Sequence, residues 1–87
     1  MTVVDLLEDA RKTHGHNYSQ AARTIGTTYV TYKAWRRGQV PSLRWVKSIA
    51  EYTGRDEVEV RDAIVGLLIA TEVTRAVGVY VASWLAA

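Results

Sequence analysis

The sequence predicts an all-α domain of five or six helices, and two observations lead to this fold class. Apolar residues recur at helical spacing along most of the chain, beginning with the stretch from Val3 to Ala10. Between these stretches stand residues typical of helix ends, with Thr, Asn, Ser or Asp before a segment and Gly after it. A length of 87 residues with 48% hydrophobic content suits one small folded domain.

Composition excludes several classes of protein. The chain has no cysteine, which rules out disulfides, thiolate zinc sites and thiol nucleophiles. The N-terminus has acidic residues in its first turns and no basic segment typical of a signal peptide. The longest uncharged stretches, 63–71 and 76–87, are too short to cross a bilayer. We therefore expect a soluble cytoplasmic protein with no membrane partner.

Positive charge is concentrated in the middle of the chain. The net charge is only +2, but residues 18–50 contain six basic residues and no acidic one. The basic residues of this block are Arg23, Lys33, Arg36, Arg37, Arg44 and Lys47. The segments on both sides are net acidic, so the pattern indicates a surface for a polyanion.

The first two helices have clear end signals. Thr2 is a suitable N-cap for the first helix, and Gly15 is a suitable left-handed C-cap. The second helix begins after Asn17 or Ser19 and ends at Gly26.

The next two segments are also predicted to be helices. Local propensity favours a strand over 27–32, but the spacing of the apolar residues favours a helix from Thr28 to Arg37, closed by Gly38. Ser42 then caps a fourth helix that ends at Gly54. The predicted inner stripe of that helix is Leu43, Val46, Ile49 and Ala50.

The C-terminal region, 56–87, is predicted to be an apolar helical extension. Asp56 can start a helix that is apolar on two opposite faces. One face comprises Val60, Ala63, Ile64, Leu67, Leu68 and Thr71, and the other comprises Val58, Val65, Ile69 and Val73. The last segment, 74–87, has spacing that suits a further helix or a strand.

The order of residues 19–38 predicts a helix-turn-helix. Ala22 is small where two helices would touch, Gly26 permits a tight turn, and Tyr32 and Trp35 fall on the inner side of the second helix. The outer side of that helix then presents Tyr29, Val30, Lys33 and Arg37. A helix that enters the major groove needs such a face, with hydrogen-bond donors and apolar contacts.

From Ser19 to Gly54 the chain resembles the phage repressor and Cro type, or lambda-repressor-like, helix-turn-helix family. The matching residues are Ala22, Gly26, Thr28, Trp35-Arg36-Arg37-Gly38, Pro41-Ser42 and Ile49-Ala50 before Gly54. The resemblance implies a transcriptional regulator, in particular a repressor, in a bacterial or phage-infected cell. It also implies a DNA-binding core at 1–55.

The resemblance assigns roles by position. It implies that Thr28, Tyr29, Val30 and Lys33 face base edges. It further implies phosphate contacts from Arg23, Arg36, Arg37, Gln39, Arg44 and Lys47. Two positions depart from the family pattern, since Tyr18 stands where Gln is usual and Arg36 stands where an acidic residue is usual.

One recognition helix reads only a few base pairs, so we expect a homodimer on an inverted-repeat operator. The second apolar face predicts a dimer interface within 58–87, centred on Val65, Ile69, Val73 and Trp84. Two alternatives remain open. The last segment could fold back over that face, or the domain could be a protein-interaction module, antitoxin-like or antirepressor-like, that captures a partner through 58–87.

Catalysis is not expected. His14 and His16 lie in one short break between helices, and no acid pair stands beside a candidate nucleophile. The two histidines lack a nearby third ligand, which favours ordinary loop residues over a metal site. We predict no enzymatic activity, no cofactor and no metal.

Overall fold

The chain folds into five α-helices and a short 3-10 turn. The computed structural model describes the backbone of residues 2–86 and the side chains of residues 2–73. The helices are α1 (Val3–His14), α2 (Tyr18–Ile25), α3 (Tyr29–Arg36), α4 (Val46–Thr53) and α5 (Glu57–Ala86), and the 3-10 turn is Leu43–Trp45. No strand occurs among the described residues, so the all-α class is confirmed. Residues 27–32 do not form a strand despite their propensity, and α3 begins within that stretch.

Helices α1 and α2 begin and end where the sequence predicts. Thr2 and Asp5 exchange side-chain and backbone hydrogen bonds of 3.0 and 3.2 Å in a capping box at the start of α1. Asn17, not Ser19, caps α2 through a similar exchange with Gln20. These contacts satisfy backbone N–H groups that have no partner within the helix.

The core lies where α1, α4 and the first half of α5 meet the α2–α3 pair. Its largest fully buried side chains are Tyr32, Leu7, Ile49, Ile64, Val3 and Val60. Helix α1 packs on α4 and α5, while α2 packs on α3 and α4. Each helix therefore contributes buried apolar residues to one continuous cluster.

The prediction for Leu43 is wrong. Ser42 caps the 3-10 turn and not α4 itself, and Leu43 lies in that turn with 54% of its surface exposed. Leu43 therefore precedes α4 and does not belong to its inner stripe, which begins at Val46. Ile49 and Ala50 are buried as predicted.

Helix α5 continues without a break to Ala86, so 74–86 is neither a strand nor a separate segment folded back on 56–73. Val60 and Ile64 are buried, and Ala63 and Leu67 pack partly against the core. Leu68, which was predicted to lie on the same face, is 46% exposed. A helix of this length is about 45 Å long.

Within the described part of the chain, no helix combines the length and the apolar character needed to cross a membrane.

Candidate nucleic-acid interface

A glycine turn joins α2 to α3. Gly26 has a φ of 96°, in the left-handed region, and its N–H donates to the carbonyls of Ala22 and Arg23. The N–H of Thr27 also donates to Ala22, at 2.9 Å. These bonds close α2 and reverse the chain within two residues, because glycine adopts positive φ without steric cost.

Thr28 then starts α3. Its Oγ1 accepts a hydrogen bond of 3.1 Å from the Thr31 N–H, and its hydroxyl lies 2.9 Å from that of Thr31. The residue is exposed, so the side chain that caps the helix also lies at the surface.

Helix α3 has two faces of opposite character. Tyr32 and Trp35 are buried, and they contact each other's rings at a centroid distance of 6.4 Å. On the other side, Tyr29 is exposed and Val30 is 75% exposed. Burial of the two aromatic residues fixes the rotation of α3, which keeps the second face at the surface.

Tyr29, which is exposed, forms a pair with Lys33, which is half-buried. The ammonium of Lys33 lies 5.2 Å from the centroid of the Tyr29 ring, one helical turn away. This is a cation–π distance. The contact restricts the Lys33 side chain while its hydrogen-bond donors remain able to reach outward.

The predicted phosphate-contact residues Arg23, Arg37, Gln39, Arg44 and Lys47 are exposed. Arg37 directly follows α3, and its backbone N–H donates to carbonyls of the last turn. The Arg44 guanidinium lies 5.0 Å from the Trp45 ring, which meets Trp35 edge-on at 5.6 Å. Arg44 thus contacts Trp45, which in turn contacts the buried Trp35 of α3.

Arg36 has a different environment from the other basic residues. Its Nε lies 3.0 Å from Oε1 of Glu8, on α1, and the same oxygen accepts a 3.1 Å hydrogen bond from the Tyr32 hydroxyl. Arg11 binds the second oxygen of Glu8 through Nε and Nη2, at 3.1 and 2.8 Å. One carboxylate therefore joins α1 to two residues of α3, and we call these four residues the Glu8 cluster.

Tyr18, which departs from the family pattern, completes this arrangement. Two guanidinium groups contact its ring, with Arg11 at 4.5 Å from the centroid and Arg36 at 4.3 Å. The two unusual positions, Tyr18 and Arg36, are thus in direct contact. Sequence reasoning missed Glu8, because only its i,i+3 spacing from Arg11 is visible locally.

The electrostatics of the Glu8 cluster follow from these contacts. Burial opposes ionisation of Glu8, but the hydrogen bonds from Arg11 and Tyr32 and the charges of Arg11 and Arg36 outweigh it, so the pKa of Glu8 is lowered. Burial, together with the Glu8 charge, raises the pKa of Tyr32 well above its ordinary value. Tyr32 therefore stays a neutral donor to an ionised carboxylate.

The predicted dimer residues are only partly within the described side chains. Ile69 and Val73 are more than half exposed, and Val65 is half-buried. Trp84 lies outside the residues whose side chains are described. Leu68 adds an exposed apolar side chain beside Ile69, so the surface is wider than predicted.

The two histidines pack against α4. His14 and His16 stack with a ring separation of 5.3 Å, and His16 Nδ1 lies 3.0 Å from the Tyr52 hydroxyl. Among the side chains that the structure describes, no group of three or more metal-ligating residues could hold an ion. The histidines act here as packing and hydrogen-bonding residues at the α1–α4 contact.

Comparison with models of protein families, with curated proteins and with solved structures finds no match to this chain.

Proposed function

We propose that this chain is a regulator that binds specific sequences in double-stranded DNA, of the phage repressor or Cro helix-turn-helix kind, and that α3 enters the major groove. One observation carries the proposal. Helix α3 buries Tyr32 and Trp35 and exposes Tyr29 and Val30, within a stretch of 33 residues, 18–50, that contains no carboxylate side chain. A face of this size and charge suits the groove, which admits one helix between two lines of phosphates.

Base reading is assigned to the exposed face of α3. Val30 packs on a thymine methyl, and Lys33 donates to the O6 and N7 acceptors of guanine. Tyr29 holds Lys33 and contacts a neighbouring base, and Thr28 contacts a base or the backbone at the start of the helix. These contacts supply specificity, since the groove presents a distinct pattern for each base pair.

Phosphate contacts position the protein on the duplex. Arg37 and Gln39, which directly follow α3, bind phosphate oxygens at the edge of the groove, with Arg23, Arg44 and Lys47 as further contacts. Such contacts give affinity for any sequence and make binding salt-dependent. The role is binding and not catalysis, and it requires no cofactor.

A homodimer through α5 completes the proposal. The exposed face of α5 around Ile69 and Val73 lies opposite the face that packs on the core. Its proposed occupant is the same face of a second copy, because two recognition helices must be presented to half-sites about 34–36 Å apart. Both half-sites then lie on one side of an inverted repeat.

A protein-interaction module is the second candidate, and the same exposed face of α5 favours it. In this alternative an antitoxin-like or antirepressor-like chain captures a different protein through 58–87. It predicts a stable heterocomplex and only weak binding to DNA, without sequence preference.

A titration with duplex DNA separates the two. The first candidate predicts that affinity falls steeply between 50 and 200 mM salt and that one sequence is bound far more tightly than others. Binding that is weak at low salt and equal for all sequences contradicts it.

A further inference from the structure

The charge of Arg36 is engaged inside the protein, although the residue belongs to α3. On the helix it falls between Tyr32, which is buried, and Tyr29, which is exposed. Its guanidinium contacts Glu8 on α1 and the ring of Tyr18 at the start of α2. Arg37, the next residue, has an exposed side chain beyond the end of the helix.

We propose that Glu8 holds Arg36 away from DNA phosphates and thereby limits binding that is independent of sequence. The inference rests on the proposed function, since it concerns regulation of the same interface. Arg36 could then bind a phosphate, but it does not do so while it is bound to Glu8. Glu8 is the positioning residue.

Arg36 is the member of the Glu8 cluster that a phosphate can reach. The side chain of Arg36 is 37% exposed, whereas those of Arg11 and Glu8 are 17% exposed. Arg11 also donates to the carbonyl of His16, at 3.0 Å, and Tyr32 is fully buried. An anion arriving from solvent therefore competes with Glu8 for Arg36 alone.

The negative charge of Glu8 determines whether a phosphate can bind Arg36. A carboxylate and a phosphate are both acceptors for a guanidinium, and Glu8 is already in place with its pKa lowered by its donors. Replacing Glu8 by glutamine removes the charge that competes with phosphate. The amide can turn its one oxygen to Arg11 and its NH2 to the Tyr32 hydroxyl oxygen, which leaves Arg36 without an acceptor. Arg36 then becomes a phosphate contact that releases one further counterion.

The experiment measures binding to a nonspecific 20-base-pair duplex as a function of salt. Glu8→Gln is expected to steepen the slope of log K against log salt by about 0.9. The ratio of the binding constant of Glu8→Gln to that of the wild type should therefore fall about 3.5-fold between 50 and 200 mM salt. Glu8→Asp keeps the charge but draws it back by one methylene, and it should steepen the slope in the same direction.

Three control variants separate the mechanism from a general change of charge. Asp9→Asn removes an exposed carboxylate from the same helix and should leave the slope unchanged. Arg36→Gln should leave the wild-type slope unchanged as well, because Arg36 is already withheld. The double variant Glu8→Gln with Arg36→Gln should return to the wild-type slope.

Each possible result of these measurements supports or overturns the proposal. A Glu8→Gln slope equal to or shallower than that of the wild type overturns the proposal, provided that circular dichroism shows a folded variant. If that variant does not fold, Arg36→Gln decides, since a slope shallower by about 0.9 means that Arg36 already binds phosphate. A wild-type protein that binds no duplex refutes the proposed function instead.

Discussion

The Nε of Arg36 lies 3.0 Å from Oε1 of Glu8, which ties the last turn of α3 to the middle of α1. The contact spans 28 positions in the sequence, and the Tyr32 hydroxyl shares the same oxygen. The helix proposed to read DNA is thus held by a carboxylate from a helix that carries none of the proposed base contacts. Under the proposed function, Glu8 would link stability to DNA binding.

Acid should unfold the protein partly through Glu8. Because its pKa is lower in the folded state than in the unfolded chain, its contribution to stability is present above the unfolded value of about 4.3 and is lost as pH falls through the folded pKa. Glu8→Gln should therefore reduce the dependence of the melting temperature on pH below about pH 5. Thermal unfolding followed by circular dichroism from pH 2 to 7 measures this, with Asp9→Asn as the matched variant. If the melting temperatures of Glu8→Gln and the wild type depend on pH equally, Glu8 does not contribute to acid unfolding.

Two glycines should respond to alanine in opposite directions. Gly26→Ala places a Cβ on a residue with a φ of 96° and should cost about 1–2 kcal/mol from backbone strain. Gly66→Ala, in the interior of α5, should stabilise the protein by about 0.5–1 kcal/mol. A Cβ at either position meets no atom within 4 Å, so the two substitutions differ in the backbone conformation of the glycine and not in steric contacts. Chemical denaturation measures both, and a neutral Gly26→Ala is the contrary result.

Lys33 and Arg37 should affect DNA binding in distinct ways. Lys33→Ala should cost about 1–3 kcal/mol on the preferred sequence and relax its specificity, since Lys33 is assigned to a base. Arg37→Ala should weaken binding to all sequences and make the salt slope shallower by about one. Fluorescence anisotropy with preferred and scrambled duplexes distinguishes them. A loss of specificity in Arg37→Ala, but not in Lys33→Ala, reverses the assignment.

Ile69 should control the oligomeric state. Ile69→Asp places a charge in the exposed apolar face of α5 and should give a monomer, because burying an unpaired charge is costly. Leu43→Asp changes an equally exposed apolar residue outside α5 and should leave the state unchanged. Sedimentation at high micromolar concentration without DNA provides the measurement. A wild-type monomer under these conditions rules out the proposed dimer.

The sequence predicted what local chemistry determines. The caps at Thr2 and Thr28 and the glycine turn at Gly26 follow from hydrogen bonds within a few residues, and the structure confirms them. Burial of Tyr32 and Trp35 followed from their spacing along a helix. These signals determined the fold class and the two faces of α3.

The errors arise where the prediction depended on the exact phase of a helix or on distant contacts. Leu43 was misplaced because a 3-10 turn precedes α4. The break expected before residue 74 is absent, because β-branched residues and a threonine do not by themselves end a helix. The pairing of Glu8 with Arg36 leaves no local pattern, since it exists only after α1 and α3 have packed.

Selection of bound sequences from random duplex DNA tests the central claim most directly. With the wild-type protein we expect an inverted repeat whose half-sites are about 10 base pairs apart from centre to centre. With Lys33→Ala we expect the same repeat without base preference at one position in each half-site. Recovery of no common sequence, or of a sequence that Lys33→Ala leaves unchanged, would contradict reading of the major groove by α3.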